Sequence, residues 1–419
     1  MKILYICIGN ELLRGVTLNK NLSTIGQKLL EYNIELTHQI TIGDSYAEIN
    51  DAIKNNLHLY DVIITTGGLG PTSDDITKEA IAKTIGLPLE QDLTVKKYLE
   101  KLWHKRFKCQ PSSNQLKQSY FPKGAEIIAN YNGSAPGCHV KYINESVKCD
   151  IFIFPGPPNE MIPMLNGYFS EYLDANNGEQ ICNCYYLCDV PESNGEAIVS
   201  KILKDNNLTE YINVAYCAEP RLLKVFFSAS KEFQSKLIKV EQIFTEKFSN
   251  NFLSLNVTNL PEEIIAICLD SEDRKLTLSV AESCTGGLIG GEITKCSGAS
   301  DIFKGGILAY SNEIKSNVLG IDSSIIENFG AVSEEVAIDM VDKCQSLFDT
   351  DCAISVTGIA GPTGGTKEKP VGLVYIGVKF KDNISVKEYR FRGDRVSVRR
   401  QTVQSALSDL RSLIKELNK

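Results

Sequence analysis

Three apolar runs near the front of this chain each end in a loop that carries glycine or proline and an acid. Residues 3–8 run into Gly9-Asn10-Glu11. Val62-Ile63-Ile64-Thr65-Thr66 runs into Gly67-Gly68-Leu69-Gly70-Pro71-Thr72-Ser73-Asp74-Asp75. Ile151-Phe152-Ile153-Phe154 runs into Pro155-Gly156-Pro157-Pro158-Asn159-Glu160. Between the first two lie a helical pattern over 19–31, a strand over 34–42 and a helix through Ile49, Ile53 and Leu57; a helix over 76–85 follows the second. Strand and helix alternating in this way fold as α/β, a parallel sheet with crossover helices. Such sheets bind ligands beyond the carboxyl ends of their strands, which is where these loops fall.

The Gly67 loop suits phosphate and metal. Glycines at 67, 68 and 70 let backbone amides approach an anion, and the helix start beyond Thr72 adds partial positive charge. Asp74 and Asp75 offer hard oxygen ligands for Mg²⁺ or a similar divalent ion, and Glu11 and Glu160 converge from the neighbouring loops. The plainer alternative is a Gly-Pro turn with an aspartate capping the next helix, and Glu11 and Glu160 as first-turn acids.

Asn176-Asn177-Gly178 marks a turn, and boundaries are expected near 170 and 255. Between them, strands at 185–187 and 223–227 and helices over 197–203 and through Leu237, Val240 and Phe244 make a small α+β module. The rear region, 256–419, starts with a helix over 261–270. Strands follow at 276–280, 305–310 and 353–356, then a hairpin of 371–379 with 384–391, and a last helix over 396–417.

The rear region carries a second constellation. Ala281-Glu282-Ser283-Cys284-Thr285-Gly286-Gly287 places a hydroxyl where a strand turns towards a helix, with amides behind it for an oxyanion. A nucleophilic serine needs a base. The four histidines of the chain all precede residue 140, so the base here must be lysine or tyrosine, and Tyr310 and Lys315 supply both. Thr357-Gly358 and the glycines after them can donate to an oxyanion or a phosphate. Either Arg395 or Arg399, at the start of the last helix, can clamp a phosphate. Against this stand a Ser283 that only caps a helix, a solvated Lys315, a glycine hairpin loop and solvent-facing arginines.

Composition removes other classes. A chain of 419 residues with 43% hydrophobic and 23% charged residues fits a soluble protein of two or three domains. Net charge −8 argues against sequence-independent binding to nucleic acid. No apolar run reaches the ~20 residues that span a membrane, and the start is too quickly interrupted for a signal peptide. The thirteen cysteines form no metal or disulfide framework, so they read as reduced, mostly buried thiols of a cytoplasmic protein.

Read together, Gly9-Asn10-Glu11-Leu12-Leu13, the Gly67–Thr77 run, Asn132-Gly133-Ser134-Ala135-Pro136-Gly137, Phe154 to Met161, Ala281 to Gly287, Tyr310 to Lys315, Thr357 to Thr366 and Gly393-Asp394-Arg395 resemble the competence/damage-inducible CinA family over essentially the whole chain. The resemblance implies a molybdopterin-binding-like domain over 1–170, a KH-like module over 171–255 and a CinA carboxy-terminal domain over 256–419. It implies an amidohydrolase in the rear domain, converting nicotinamide mononucleotide to nicotinic acid mononucleotide and ammonia without a metal. Ser283 would be its nucleophile, Tyr310 and Lys315 would assist proton transfer, and Thr285, Gly286, Thr357, Gly358, Arg395 and Arg399 would bind substrate. In the front domain it implies a metal-dependent ADP-ribose pyrophosphatase, with Gly67, Gly68, Gly70 and Thr72 at the phosphates and Asp74, Asp75, Glu11 and Glu160 at the metal. It also implies a homodimer. One departure stands out: Asn10 occupies a position where the family carries aspartate. That leaves a non-catalytic nucleotide- or pterin-binding front domain as an alternative. A DNA-damage accessory scaffold is a second alternative, opposed by the acidic charge.

Overall fold

The structure, a computed structural model, describes residues 1–144, 147–176, 180–271 and 274–417. Two compact units emerge: Met1–Asn183 with Ser228–Gln234, and Cys184–Phe227 with Ser235–Lys419. The expected turn at Asn177-Gly178 lies outside the described residues.

The first unit is built on a six-stranded sheet. Ile3–Ile8 pairs in parallel with His38–Ile42 on one side and Val62–Thr66 on the other. Val147–Phe154 follows in parallel, and Gly137–Asn144 and Glu126–Ile128 complete the sheet antiparallel. Ile3–Ile8 and Val62–Thr66 are buried along their whole length, which is why both read as unbroken apolar runs. The first crossover leaves Ile3–Ile8 to one side and the next returns to the other. The carboxyl ends of Ile3–Ile8 and Val62–Thr66 therefore flank a topological switch point. Helix Lys20–Leu30 buries Ile25 and Leu29 against one face; Asn19 caps it by accepting from the Leu22 amide. Only His38–Ile42 of the expected 34–42 strand pairs into the sheet.

A three-stranded sheet with Leu222–Ser230 between Asn213–Glu219 and Gln180–Cys188 carries helices Glu192–Asp205 and Gln234–Lys247. Most of this segment groups with the rear region in the second unit. Polar contacts to the last helix tie it there: Arg221 donates to Asp189 and to Ser405, and Ser408 donates to Asp189.

The rear sheet repeats the front arrangement. Leu278–Glu282 pairs in parallel with Phe303–Leu308 on one side and Cys352–Gly358 on the other; Leu373–Phe380 and Asn383–Arg390 follow antiparallel. Helix Arg395–Leu417 packs against it through Val398, Ala406, Leu407, Leu410 and Ile414, and helix Glu334–Phe348 covers part of the sheet. Again the central strand has a crossover to each side, which sets a switch point between the ends of Leu278–Glu282 and Cys352–Gly358.

All thirteen cysteines are free and eight are buried. Among the described residues no helix is long and apolar enough to cross a membrane.

Candidate functional sites at two switch points

Ser283 follows directly on the buried strand Leu278–Glu282, and its amide donates to the Val356 carbonyl at 3.1 Å. The following helix starts only at Leu288, with Gly287 as its N-cap, so Ser283 caps nothing. The cap is Glu282, fully buried. Its carboxylate accepts from the amides of Gly287, Ile289 and Gly290 at 2.9, 3.1 and 2.9 Å. Gly286 and Gly287 have φ of 59° and 89°, a left-handed pair that lets the chain turn back over this carboxylate.

Lys315 is buried too, at 1% exposure, on helix Asn312–Asn317 beyond the neighbouring strand. Its Nζ lies 3.1 Å from Ser283 Oγ and donates to the Ala309 carbonyl at 2.7 Å. Burial lowers its pKa below the ordinary 10.5, opposed in part by Cys284. Burial also pushes the Cys284 thiol up to about 12, so the residue beside the serine is a thiol and not a thiolate at neutral pH.

Tyr310 differs from expectation. Its side chain is exposed, and its hydroxyl accepts from Arg395 at 2.9 Å; among the described residues no hydrogen bond joins it to Lys315 or Ser283. Tyr310 leaves the sheet edge at the end of strand Phe303–Leu308 and points to the surface, whereas Lys315, one helical turn on, points inward. Arg395 also donates to the Gly361 carbonyl at 2.9 Å. Arg399 donates through Nε and Nη2 to the Thr285 carbonyl, at 3.2 and 2.6 Å. The Thr285 hydroxyl is buried with no hydrogen-bond partner among the described residues. Thr357 donates its hydroxyl proton to the Ala331 carbonyl at 2.6 Å, so its side chain can offer a ligand only an acceptor, and Gly358 closes the strand against Val374.

The front switch point opens into a cleft of about 870 Å³. Gly67, Gly68, Gly70, Asp74, Asp75, Glu11 and Glu160 all line it, and so does Asp44. Gly67 has φ 105° and a Cβ there would strike the Ile8 carbonyl, so glycine is required for the loop to pass the first strand. Thr77 Oγ1 donates to the Gly67 carbonyl at 2.9 Å and fixes the loop to the next helix. Neither Asp74 nor Asp75 caps that helix; its N-cap is Ile76. Both aspartates accept from the Thr72 hydroxyl, and the Thr72 amide donates to Asp75 at 2.9 Å. Thr72 thus orders the carboxylates and does not line the cleft.

Asp44 is raised above the usual carboxyl range by burial; the Asn10 amide, which donates to it at 2.9 Å, offsets part of this, and the charges of Glu11, Asp74 and Asp75 add to the rise. Glu160 is engaged by Asn130 Nδ2 at 2.6 Å and sits in the first turn of Pro158–Met164. Among the described residues no three His, Cys, Asp or Glu side chains close into a ready ligand cage, so the four expected metal residues face one cleft without forming a closed set. The donor chemistry fits Mg²⁺ nonetheless. That ion keeps several waters and is held by one or two carboxylates with substrate phosphates. Asn10 is not part of the cleft lining; its amide oxygen stands against Gly43.

Residues 4–175 match the probable molybdopterin binding domain, and residues 260–414 match the CinA C-terminal domain. A putative competence-damage inducible protein of Thermoanaerobacter sp. strain X514 is 38% identical over 411 residues, covering 97% of both chains. The chain belongs to the CinA family. A CinA-like protein of Thermotoga maritima is 35% identical over 99% of this chain and 98% of its own. The crystal structure of competence/damage inducible protein CihA from Agrobacterium tumefaciens is 37% identical, covers 40% of this chain and all of its own, and has a TM-score of 0.36. The Gly67 cleft lies within residues 4–175 and the Ser283–Lys315 pair within residues 260–414. Glu282 and Asp44 had no assigned role from sequence. Asp44 follows Gly43 at the end of His38–Ile42, the same strand-glycine-acid order that singled out Glu11, and was legible by that rule.

Proposed function

We propose that the rear site of this CinA protein hydrolyses the carboxamide of nicotinamide mononucleotide through Ser283, with Lys315 as general base. The observation that carries this reading is the 3.1 Å contact between two buried side chains, Lys315 Nζ and Ser283 Oγ. A surface lysine is a poor base at neutral pH; a desolvated one gives up its proton more readily.

In this mechanism neutral Lys315 takes the Ser283 proton as Oγ attacks the carboxamide carbon. The C=O pair moves to oxygen, and the oxyanion is met by the Thr285 amide, which has no acceptor among the described residues. The tetrahedral intermediate collapses, the C–N bond breaks, and Lys315 returns the proton to the leaving nitrogen as ammonia. Lys315 then deprotonates a water that attacks the ester carbonyl, which releases the carboxylate product and restores Ser283. The Thr285 hydroxyl, buried and without a partner among the described residues, would bond the carboxamide in this reading. Both arginines hold a backbone carbonyl, Arg399 that of Thr285 and Arg395 that of Gly361; Arg395 is the more exposed of the two and in this reading meets the phosphate. Ammonia release from nicotinamide mononucleotide tests the assignment: Ser283→Ala should abolish it, and near-normal turnover in that variant removes the nucleophile.

The front cleft supports a second reading, metal-dependent cleavage of ADP-ribose to AMP and ribose 5-phosphate. Glu11, Asp74, Asp75 and Glu160 would hold a divalent ion, with Asp44 supporting them, and the ion when bound would polarise phosphoryl oxygen. The chain's own loop at Gly67–Gly70 would seat the phosphates through its amides. Asp74→Ala should abolish the metal-dependent products; unchanged product formation in excess chelator removes the metal role, and binding without product leaves a nucleotide-binding module.

A further inference from the structure

Asn21 lies at the second position of helix Lys20–Leu30, in the wall of the front cleft beside Pro155-Gly156-Pro157. It is 6% exposed. Its Nδ2 donates to the Gly156 carbonyl at 2.8 Å. Its Oδ1 is buried and has no partner among the described residues. The orientation is fixed chemically, because turning the amide over would set two acceptors, Oδ1 and the Gly156 carbonyl, against each other. A buried acceptor without a donor is costly, and a folded chain leaves one where something else completes it.

We propose that Asn21 Oδ1 is the acceptor of a subsite that takes an uncharged hydrogen-bond donor, a sugar hydroxyl or a base amine, of a nucleotide seated in the front cleft. The proposal rests on the nucleotide reading of that cleft and says which part of the ligand lies where. Ionised phosphate oxygens are acceptors only and cannot satisfy Oδ1, so this stretch of wall disfavours a second phosphate. The phosphate seat is close by: a Cβ built on Gly156 would stand 3.5 Å from the Gly67 Cα. A nucleotide whose phosphates meet the Gly67–Gly70 amides therefore brings its nucleoside or ribose end to Asn21. Selection at this point is for hydroxyl- or amine-bearing ligands over bare polyphosphate.

The test is calorimetric binding to the full chain in Mg²⁺. The probes are ADP-ribose in its non-hydrolysable α,β-methylene form, ribose 5-phosphate, 2′,3′-dideoxyadenosine monophosphate and inorganic pyrophosphate, against wild type and Asn21→Ala. The wild type is expected to bind ADP-ribose at least tenfold more tightly than pyrophosphate. Asn21→Ala is expected to lose about tenfold or more for ADP-ribose and to stay within twofold for pyrophosphate. Preferential loss for ribose 5-phosphate assigns a hydroxyl, and for the dideoxynucleotide an amine. Equal losses for ADP-ribose and pyrophosphate mean that Asn21 only supports the Gly156 loop, and the inference fails. Unchanged ADP-ribose binding in the variant also sinks it. If Asn21→Ala does not fold, the wild-type ladder decides alone: pyrophosphate binding as tightly as ADP-ribose overturns the proposal. Wild type binding neither ligand removes the nucleotide reading of the cleft, and the subsite with it; wild type binding pyrophosphate alone removes only the subsite.

Discussion

Lys315 Nζ stands 3.1 Å from Ser283 Oγ while its other hydrogen bond goes to the Ala309 carbonyl. A carbonyl can only accept. The contact to Ala309 therefore holds the amine in place but supplies no proton and no counter-charge. The attraction to Cys284 vanishes while that thiol is protonated.

Replacing Lys315 by methionine keeps its aliphatic length and removes the base. Turnover on nicotinamide mononucleotide should fall about 10²–10⁴-fold, the usual worth of a positioned general base. Circular dichroism should show an unchanged fold. A loss smaller than tenfold assigns the base elsewhere.

The pH profile follows from the direction of the Lys315 shift. The working form is the neutral amine, so kcat/KM should rise with pH and level off above the lowered pKa, at a pH below 10.5. Stability carries the same sign. Between the folded pKa and 10.5 the unfolded chain binds more protons than the folded one, so this residue's contribution grows as pH rises through that window. A rate that falls with pH across the neutral range contradicts the assignment.

The two arginines should separate kinetically. Arg395→Ala is expected to raise KM for the mononucleotide about tenfold, the scale of one charge-assisted contact, and to leave the weaker reaction with nicotinamide riboside unchanged. Arg399→Ala, which frees the Thr285 carbonyl, should lower kcat for both substrates. Identical behaviour of the two variants removes the division of labour.

In the front cleft, Asp44→Asn should raise the Mg²⁺ concentration for half-maximal binding by about 10–100-fold, the effect of losing a supporting group near a metal. Isothermal titration with Mg²⁺ in the presence of pyrophosphate reads this directly. An unchanged midpoint takes Asp44 out of the ion's surroundings.

Glu263 and Arg411 test the second unit's core. They pair at 2.8 Å with exposures of 0% and 4%, and Glu263 also accepts from the Ser254 amide at 2.6 Å. Glu263→Ala strands a buried guanidinium and should cost about 3–5 kcal/mol in the urea unfolding transition of that unit. Replacing both partners, Glu263→Leu with Arg411→Met, should recover part of this loss, because the Ser254 amide and Lys415 still lose their acceptor.

Much of the scaffold was legible because buried parallel strands leave unbroken apolar runs: Ile3–Ile8 and Val62–Thr66 fall where the sequence puts them. The helix Leu93–Phe107 was not legible. It buries only Leu99, so it carries little amphipathic signal. Strand Asn213–Glu219 is mostly half-exposed and equally faint. At the rear site, Ser283 and Lys315 were readable from turn position and the lack of histidine. Their mutual distance was not, because it depends on how the strand Phe303–Leu308 pairs beside Leu278–Glu282. Tyr310 shows the limit: closeness in sequence to Lys315 placed it in the proton path, but the edge of the sheet turned its ring outward. Asn21 carried no sequence signal, since only packing leaves its oxygen unmet.

The burial of Cys284 has a consequence for chemical probes. A thiol held at about 12 neither alkylates nor oxidises readily, although it is the neighbour of the proposed nucleophile. Iodoacetamide or mild peroxide should leave the rear centre working, and a covalent inhibitor of it must carry an electrophile matched to an alcohol, such as a fluorophosphonate or boronate.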